Sequence, residues 1–408
     1  MILSVFVIVI VAGVAYFHYV QGALTSVISA FCSLLGVLVA FGYYEQVLGL
    51  VGQGRFADYA AGSLLIALYA ATYLVLRLIF DQFIPGNITL QLYVEKATAV
   101  VAGIAAGLMC GGVFATAAQM MPLGASAGGY ARYALQDRQV VIAPSVHGGG
   151  GNARALDSQI ADELVDAVPK PENAASLILP ADSLVVALAN QASSRPFSGS
   201  HDFSDVRRNL LDDLFYNRLG VDQSGARVIV NTPTVPRAKV DGIYTLLGKV
   251  EFLDASVKDL RPGKQSLTFK PQTGDVLVVL RTTFDDIAAD KDGFVRITPA
   301  AIRLVIGAST FHPIGTIDSA SRVGLERFDD QILVRMDGAF RGADFVFAVP
   351  KSTADKLTLP AKGRRDTLFA QFKLYGLVDL STQVAAAYPG VSDAKAVLKK
   401  RATPLAGG

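Results

Sequence analysis

Hydrophobic positions are spread very unevenly along the chain. Four apolar stretches, Ile2–Val20, Ala23–Phe41, Tyr59–Phe80 and Ala97–Met121, fill its first third, and no comparable stretch follows. Each is long enough to cross the hydrocarbon core of a bilayer as a helix, which takes about 20 residues at about 1.5 Å per residue. Lipid offers no partner for free backbone amides and carbonyls, so such segments span as helices. Between Met1 and Gly124 the only charged residues are Glu45, Arg55, Asp58, Arg77, Asp81, Glu95 and Lys96. That density is too low for four buried helices of a water-soluble domain. The pattern predicts an α-helical membrane bundle of four transmembrane helices over 1–121.

Beyond the bundle the periodicity changes. Leu123–Gly151 is rich in Gly and Ala and culminates in Gly148–Gly151, which reads as a linker over 122–151. A helical segment is expected over 152–222. In it Leu156, Ile160, Leu164 and Val168 recur every four residues until Pro169 and Pro171. Ala181–Gln191 forms a second helix, and Phe203, Val206, Leu210, Leu214 and Phe215 mark a third. This last is entered through Asp202 or Ser204 and closed by Gly220.

From Ala226 onward the pattern favours strands. Candidates are Arg227–Asn231, Thr245–Phe252, Ser266–Phe269, Val276–Phe284, Ala301–Ile306, Ile332–Met336, Asp344–Val349 and Lys356–Leu359, each bounded by Gly, Pro, Asp or Asn. Short tandem strands of this kind predict a β-sandwich, here over 223–380. A final amphipathic helix, Ser392–Arg401, ends in Lys399-Lys400-Arg401 within a C-terminal helix and tail over 381–408. Gly274–Leu359, with its closing strand Phe345-Val-Phe-Ala-Val-Pro350, is similar to the immunoglobulin-like modules of bacterial envelope proteins. The expected fold class is therefore a four-helix transmembrane bundle followed by a soluble α+β part with an immunoglobulin-like β-sandwich.

Composition changes this picture only by subtraction. The whole chain carries 37 basic and 35 acidic residues, and the membrane part accounts for three and four of them. The remainder is nearly neutral, which gives no reason to expect a nucleic-acid partner. Cys32 and Cys110 both fall inside apolar stretches, so the soluble part has neither a disulfide framework nor thiol ligands for a metal. The first apolar stretch lacks a basic leader and runs on into a second span, unlike a cleavable signal peptide.

Within the membrane part, spans one and two are joined only by Gln21-Gly22 and must pack antiparallel. The second connection, Gly42–Asp58, carries Tyr43, Tyr44 and Glu45; the third, Asp81–Lys96, holds a short interfacial piece at Ile88–Tyr93. In the fourth span Ala99, Gly103, Gly107 and Gly111 recur every four residues. Small residues at that spacing line one face and let another backbone approach closely. Packing within the bundle is the preferred reading, with a homo-oligomer seam as the alternative.

Taken in order, these residues resemble the colicin V production (CvpA) family of membrane proteins. The family has four spans and a first turn reading roughly Arg-Gly-x-x-Arg-Glu-x-x-Ser. Gln21-Gly22 and Ser29 fall on that pattern, with Thr25 and Ser26 in place of the Arg-Glu pair. Tyr43 and Tyr44 match an aromatic pair that closes the family's second span. Glu95, Lys96, Ala99, Gly103 and Gly107 match the start of its fourth, Asp-Arg-x-x-Gly-x-x-x-Gly-x-x-x-Gly. An Asp common near the start of the family's first helix is missing. The resemblance covers about 120 residues. It implies a role in colicin V or toxin production or export and in envelope maintenance, with no established chemistry.

Candidate chemistry in the residues themselves is sparse. Gly124-Ala-Ser126-Ala-Gly128 and His147-Gly148 imitate a nucleophile elbow and an oxyanion loop, but no strand precedes the Ser and their order is reversed. His18, His147, His201 and His312 lack metal-ligand spacing. Asp212-Asp213, Asp285-Asp286 and Asp329-Asp330 read as solvated surface. We expect no catalytic, cofactor-binding or metal residues. The expected partners are the lipid bilayer and an unidentified envelope protein, and the expected location is the bacterial inner membrane. Lys and Arg counts around the spans do not decide sidedness. The family's basic first turn is cytoplasmic, which transfers a periplasmic location to 122–408. A channel or transporter subunit and a membrane-tethered enzyme stand as the alternative functions.

Overall fold

The computed structural model describes residues 2–51, 57–84, 91–121, 126–133, 174–192, 197, 202–219, 238–246, 251–254, 266–267, 275–285, 293–307, 309–319, 322–326, 332–336, 341–358 and 368–388. The chain divides into two compact units, Met1–Ala134 with Glu172–Ala226, and Leu135–Pro171 with Arg227–Gly408. The tether glycines Gly148–Gly151, the helix Leu156–Val168, the strand Arg227–Asn231 and the helix Ser392–Arg401 lie outside the described residues.

The helical unit is built on α1 (Ile2–Gln21), α2 (Ala23–Val51), α3 (Ala57–Phe83) and α4 (Leu92–Met120). All four are long and apolar enough to cross a membrane, as a multi-pass membrane protein requires. Ile2, Val9, Leu74, Leu78 and Val101 stay exposed on their outer faces, where a lipid-facing surface needs them.

Two helices outrun the apolar stretches that predict them. α2 continues past Phe41 because Tyr44 is fully buried and Leu48 packs inward, so Tyr43, Tyr44 and Glu45 are helical rather than a loop. α4 starts at Leu92, placing Tyr93 in its first turn, so the segment expected at Ile88–Tyr93 is not a separate piece there.

A second layer of short helices caps one end of the bundle: α5 (Ala181–Ala192), α6 (Phe203–Val206) and α7 (Leu210–Leu219). This corrects the division of the chain, because 174–219 packs on the membrane helices instead of beginning the soluble part. Gly112 of α4 lies directly under the Ala181 carbonyl, and Gly42 of α2 under that of Phe197. Phe41 and Phe203 meet edge to face at 5.6 Å. Part of the expected linker is also seated. Ala127 and Tyr130 form a β-bridge, and the Leu3 amide donates to the Gly128 carbonyl at 3.3 Å. The helix expected across Phe203–Phe215 is broken at Arg207, whose backbone leaves the helical region.

The β-rich unit holds an eight-stranded sheet. Its order is β14 (Ala386–Ala387), β1 (Ala238–Leu246), β4 (Asp275–Phe284), β11 (Gly342–Pro350), β8 (Gly315–Ser319), β9 (Arg322–Leu325), β2 (Glu251–Asp254) and β3 (Ser266–Leu267). A four-stranded sheet runs β13 (Gly376–Asp379), β12 (Leu368–Phe372), β6 (Ile302–Ile306) and β7 (Ser309–Phe311), and β10 (Ile332–Arg335) pairs with β5 (Phe294–Ile297).

β4 and β11 pair along their whole lengths, and both read as nearly continuous apolar runs, the pattern of strands covered on both faces. Val278, Leu280, Phe345 and Phe347 face a core shared with Ile302, Leu304, Ala370 and Phe372. Leu277, Val279 and Val346 pack on the other face with Ile317, Val323 and Leu325.

Two strand expectations are corrected. Thr245–Phe252 is not one strand: β1 ends at Leu246 and β2 begins at Glu251, and the two pair with different neighbours. Of the strand expected at Lys356–Leu359, the described residues 356–358 belong instead to the 3-10 turn Asp355–Thr358 that follows α8 (Lys351–Ala354). Ala354 and Leu357, three apart and both buried, give that segment a helical face. Within the expected C-terminal segment, Ala386–Ala387 adds a parallel strand to β1.

Candidate functional site

The residues that carry the family pattern gather along α1, α2 and α4. Gly22 sits at φ +102 between α1 and α2, where a Cβ would lie 3.0 Å from the Glu95 carboxylate. The turn therefore needs glycine for its conformation and for space. Lys96 donates to the Tyr19 carbonyl at 2.9 Å and lies 4.6 Å from that ring's centre. Ser29 accepts a hydrogen bond from Arg77 of α3 at 3.1 Å, and Arg77 also donates to the Thr25 carbonyl and pairs with Asp81.

Ala99 is fully buried, and Gly103, Gly107 and Gly111 face α1. Added Cβ atoms would lie 3.0 Å from the Ala15 Cα, 2.9 Å from the Val11 Cα and 3.2 Å from Val7. Backbone-to-backbone contact of that kind supplies van der Waals attraction where lipid removes the hydrophobic drive between helices. Tyr43 is helical and half-buried, while Tyr44 is fully buried and donates to Glu45 at 2.8 Å.

The densest polar cluster lies at the opposite end of the bundle, beneath the cap, and the sequence did not single it out. Arg207, 1% exposed, donates through Nε to Glu45 at 2.6 Å. Burial weakens its hold on the proton, but the Glu45 carboxylate more than reverses that and raises its pKa. Arg132 and Tyr133 both donate to Asp212. Burial and the Asp212 hydrogen bond push the Tyr133 phenol up to about 12. Gln119 at the end of α4 donates to the fully buried Asp182 of α5 at 3.0 Å. Tyr133 stacks on Tyr216 and meets Phe215 edge to face. Arg218, 3% exposed, lies within the field of Tyr130.

Asp212 and Asp213 are therefore not solvated surface: Asp213 is 6% exposed and Asp212 is held by two donors. The available signal was Glu45, an acid immediately after the aromatic pair in an otherwise apolar run. Its partner stands 162 positions away, beyond any local spacing rule.

In the β-rich unit, Arg281 holds Asp344 through two 3.0 Å hydrogen bonds, and Tyr388 donates to the same carboxylate at 2.9 Å. His312 is half-buried with its Nδ1 2.8 Å from the Ile302 carbonyl, and burial lowers its pKa to about 4. Among the described residues no group of three or more His, Cys, Asp and Glu side chains is arranged to hold a metal ion.

These arrangements pack helices, fix a turn and secure charges. No family model matches the chain, and no curated protein or solved structure is similar to it.

Proposed function

We propose that the chain is a non-enzymatic protein of the CvpA type in the bacterial inner membrane, with a β-rich unit that binds another envelope component on the periplasmic side. Its role is colicin V or toxin production or export and envelope maintenance. The observation that carries this reading is the gathering of the family-matching residues. Gly22 lies against Glu95, Lys96 against Tyr19, and Gly103 and Gly107 against α1. These motif positions have physical tasks at helix contacts or a turn. The immunoglobulin-like reading of Gly274–Leu359 is supported by sheets sharing one core. The parallel pairs β1–β14 and β2–β9 depart from an all-antiparallel sandwich.

Sidedness and partner are tested together at Ser352, exposed just after β11. Ser352→Cys in intact cells should react with a membrane-impermeant maleimide once the outer membrane is permeabilised. A crosslinker at that thiol should then capture one recurring envelope protein. Labelling only after rupture of the inner membrane would reverse the orientation. Ion conductance from the purified chain in liposomes would replace this reading with a channel.

A further inference from the structure

The capped end holds three arginines, Arg132, Arg207 and Arg218, that are half-buried or buried, and they are not treated alike. Arg132 holds Asp212, and Arg207 holds Glu45. Arg218, in the last turn of α7, is 3% exposed, and its Nε, Nη1 and Nη2 are all buried without a hydrogen-bond partner. Among the described residues the one polar side chain whose field reaches it is Tyr130, and that phenol donates to the Ala175 carbonyl at 2.9 Å. A guanidinium cannot shed its proton at neutral pH, and an enclosed cation without a counter-charge is strongly unfavourable. Burial lowers the Arg218 pKa only to about 10, which leaves it cationic.

Position narrows the anion that would complete it. Tyr130 packs with Leu3, Val7, Leu177 and Ala181 at the first turns of α1. Ile2 and Ile178 nearby point outward, 76% and 62% exposed. The beginning of a membrane span marks the depth at which hydrocarbon gives way to phosphates. The flat guanidinium fork matches two phosphate oxygens at once.

We propose that Arg218 anchors a binding site for a phosphate group at the capped end of the helical unit. The phosphate is carried by a phospholipid headgroup or is a free anion. Because the guanidinium is enclosed, exchange requires the Ala127–Tyr130 turn or α7 to move, and a bound phosphate stays with the protein during purification.

The test is native mass spectrometry of the full chain in mild detergent, before and after addition of phosphatidylglycerol or inorganic phosphate. The wild type should retain one phosphate-bearing ligand per chain. Arg218→Gln should bind it at least about tenfold more weakly, with Arg218→Lys in between. Retention of the lipid with no effect of inorganic phosphate assigns the headgroup, and the reverse assigns the free anion. A wild type that retains neither overturns the site, as does equal retention by Arg218→Gln. If Arg218→Gln does not fold, Arg218→Lys and the saturable rise in wild-type melting temperature with ligand decide the matter. Arg218→Met that melts higher than the wild type without ligand, with binding unchanged, would make Arg218 a stray buried charge.

Discussion

In the β-rich unit, Arg281 meets Asp344 and Arg303 meets Gln371 because strand register places each pair directly opposite on neighbouring strands. Once β4 pairs with β11 and β6 with β12, those contacts follow without further arrangement. The capped end of the helical unit has no such device. Its polar pairs, Glu45–Arg207, Arg132–Asp212 and Gln119–Asp182, join elements far apart in sequence and form only when the cap docks on the bundle. The two regions therefore differ in what satisfies their polar groups: strand pairing in one, helix docking in the other. A defect in the cap should leave buried charge exposed to consequence, whereas the sheet protects its pairs through register.

The sharpest way to break the comparison is at Glu45. Glu45→Gln leaves the enclosed Arg207 guanidinium without its carboxylate, and removing one member of a buried pair costs about 3–5 kcal/mol. The melting temperature in detergent should fall by many degrees. Glu45→Gln with Arg207→Met removes both charges and should recover most of the loss. If the double variant is no better than the single, the pair is not what docks the cap.

A smaller effect is expected at Gly107, where the added Cβ meets the Val11 backbone at 2.9 Å and has no flexible side chain to displace. Gly107→Leu should force α1 and α4 apart and cost about 2 kcal/mol, the usual range for overpacking. Gly49→Leu, at a position with no atom within 4 Å of an added Cβ, serves as the control. Equal melting of the two variants would show that close approach of α1 and α4 contributes little.

These contrasts also explain what was legible in the sequence. The four spans were plain because crossing a bilayer demands a long apolar run, and β4 and β11 were plain because strands covered on both faces are apolar throughout. Helix ends were not: α2 extends through Tyr44 and Glu45 because Tyr44 and Leu48 pack inward and Arg207 satisfies a carboxylate that hydropathy alone assigns to a loop. β8, β9 and β13 are short and contain glycine, so they lack the alternation that marks a strand. Lys356–Leu359 misled because Leu357 and Leu359 alternate, whereas the buried pair is Ala354 and Leu357, three apart. The capped end was illegible for one reason: its partners are distant in sequence, and the docking of short helices brings them together.

The smallest expected effect sharpens the β-rich side. His312 is held neutral, first by burial and further by the nearby Arg303 charge, against hydrogen bonds from its ring to the Ile302 and Pro299 backbone. Its pKa in the folded chain, about 4, lies below the ordinary 6.5. The unfolded chain therefore takes up a proton as pH falls through 6.5 while the folded chain does not, and stability is lost as pH drops toward 4. Between about pH 7 and about pH 5.5 that loss is on the order of 1 kcal/mol. Carboxylates contribute little there, since their ordinary pKa values lie near about 4. His312→Gln lowers stability at neutral pH by removing packing and a hydrogen bond, but it should flatten the slope over this interval. Parallel pH profiles of the wild type and His312→Gln would mean that His312 titrates alike in the folded and unfolded chain, and that burial does not hold it neutral.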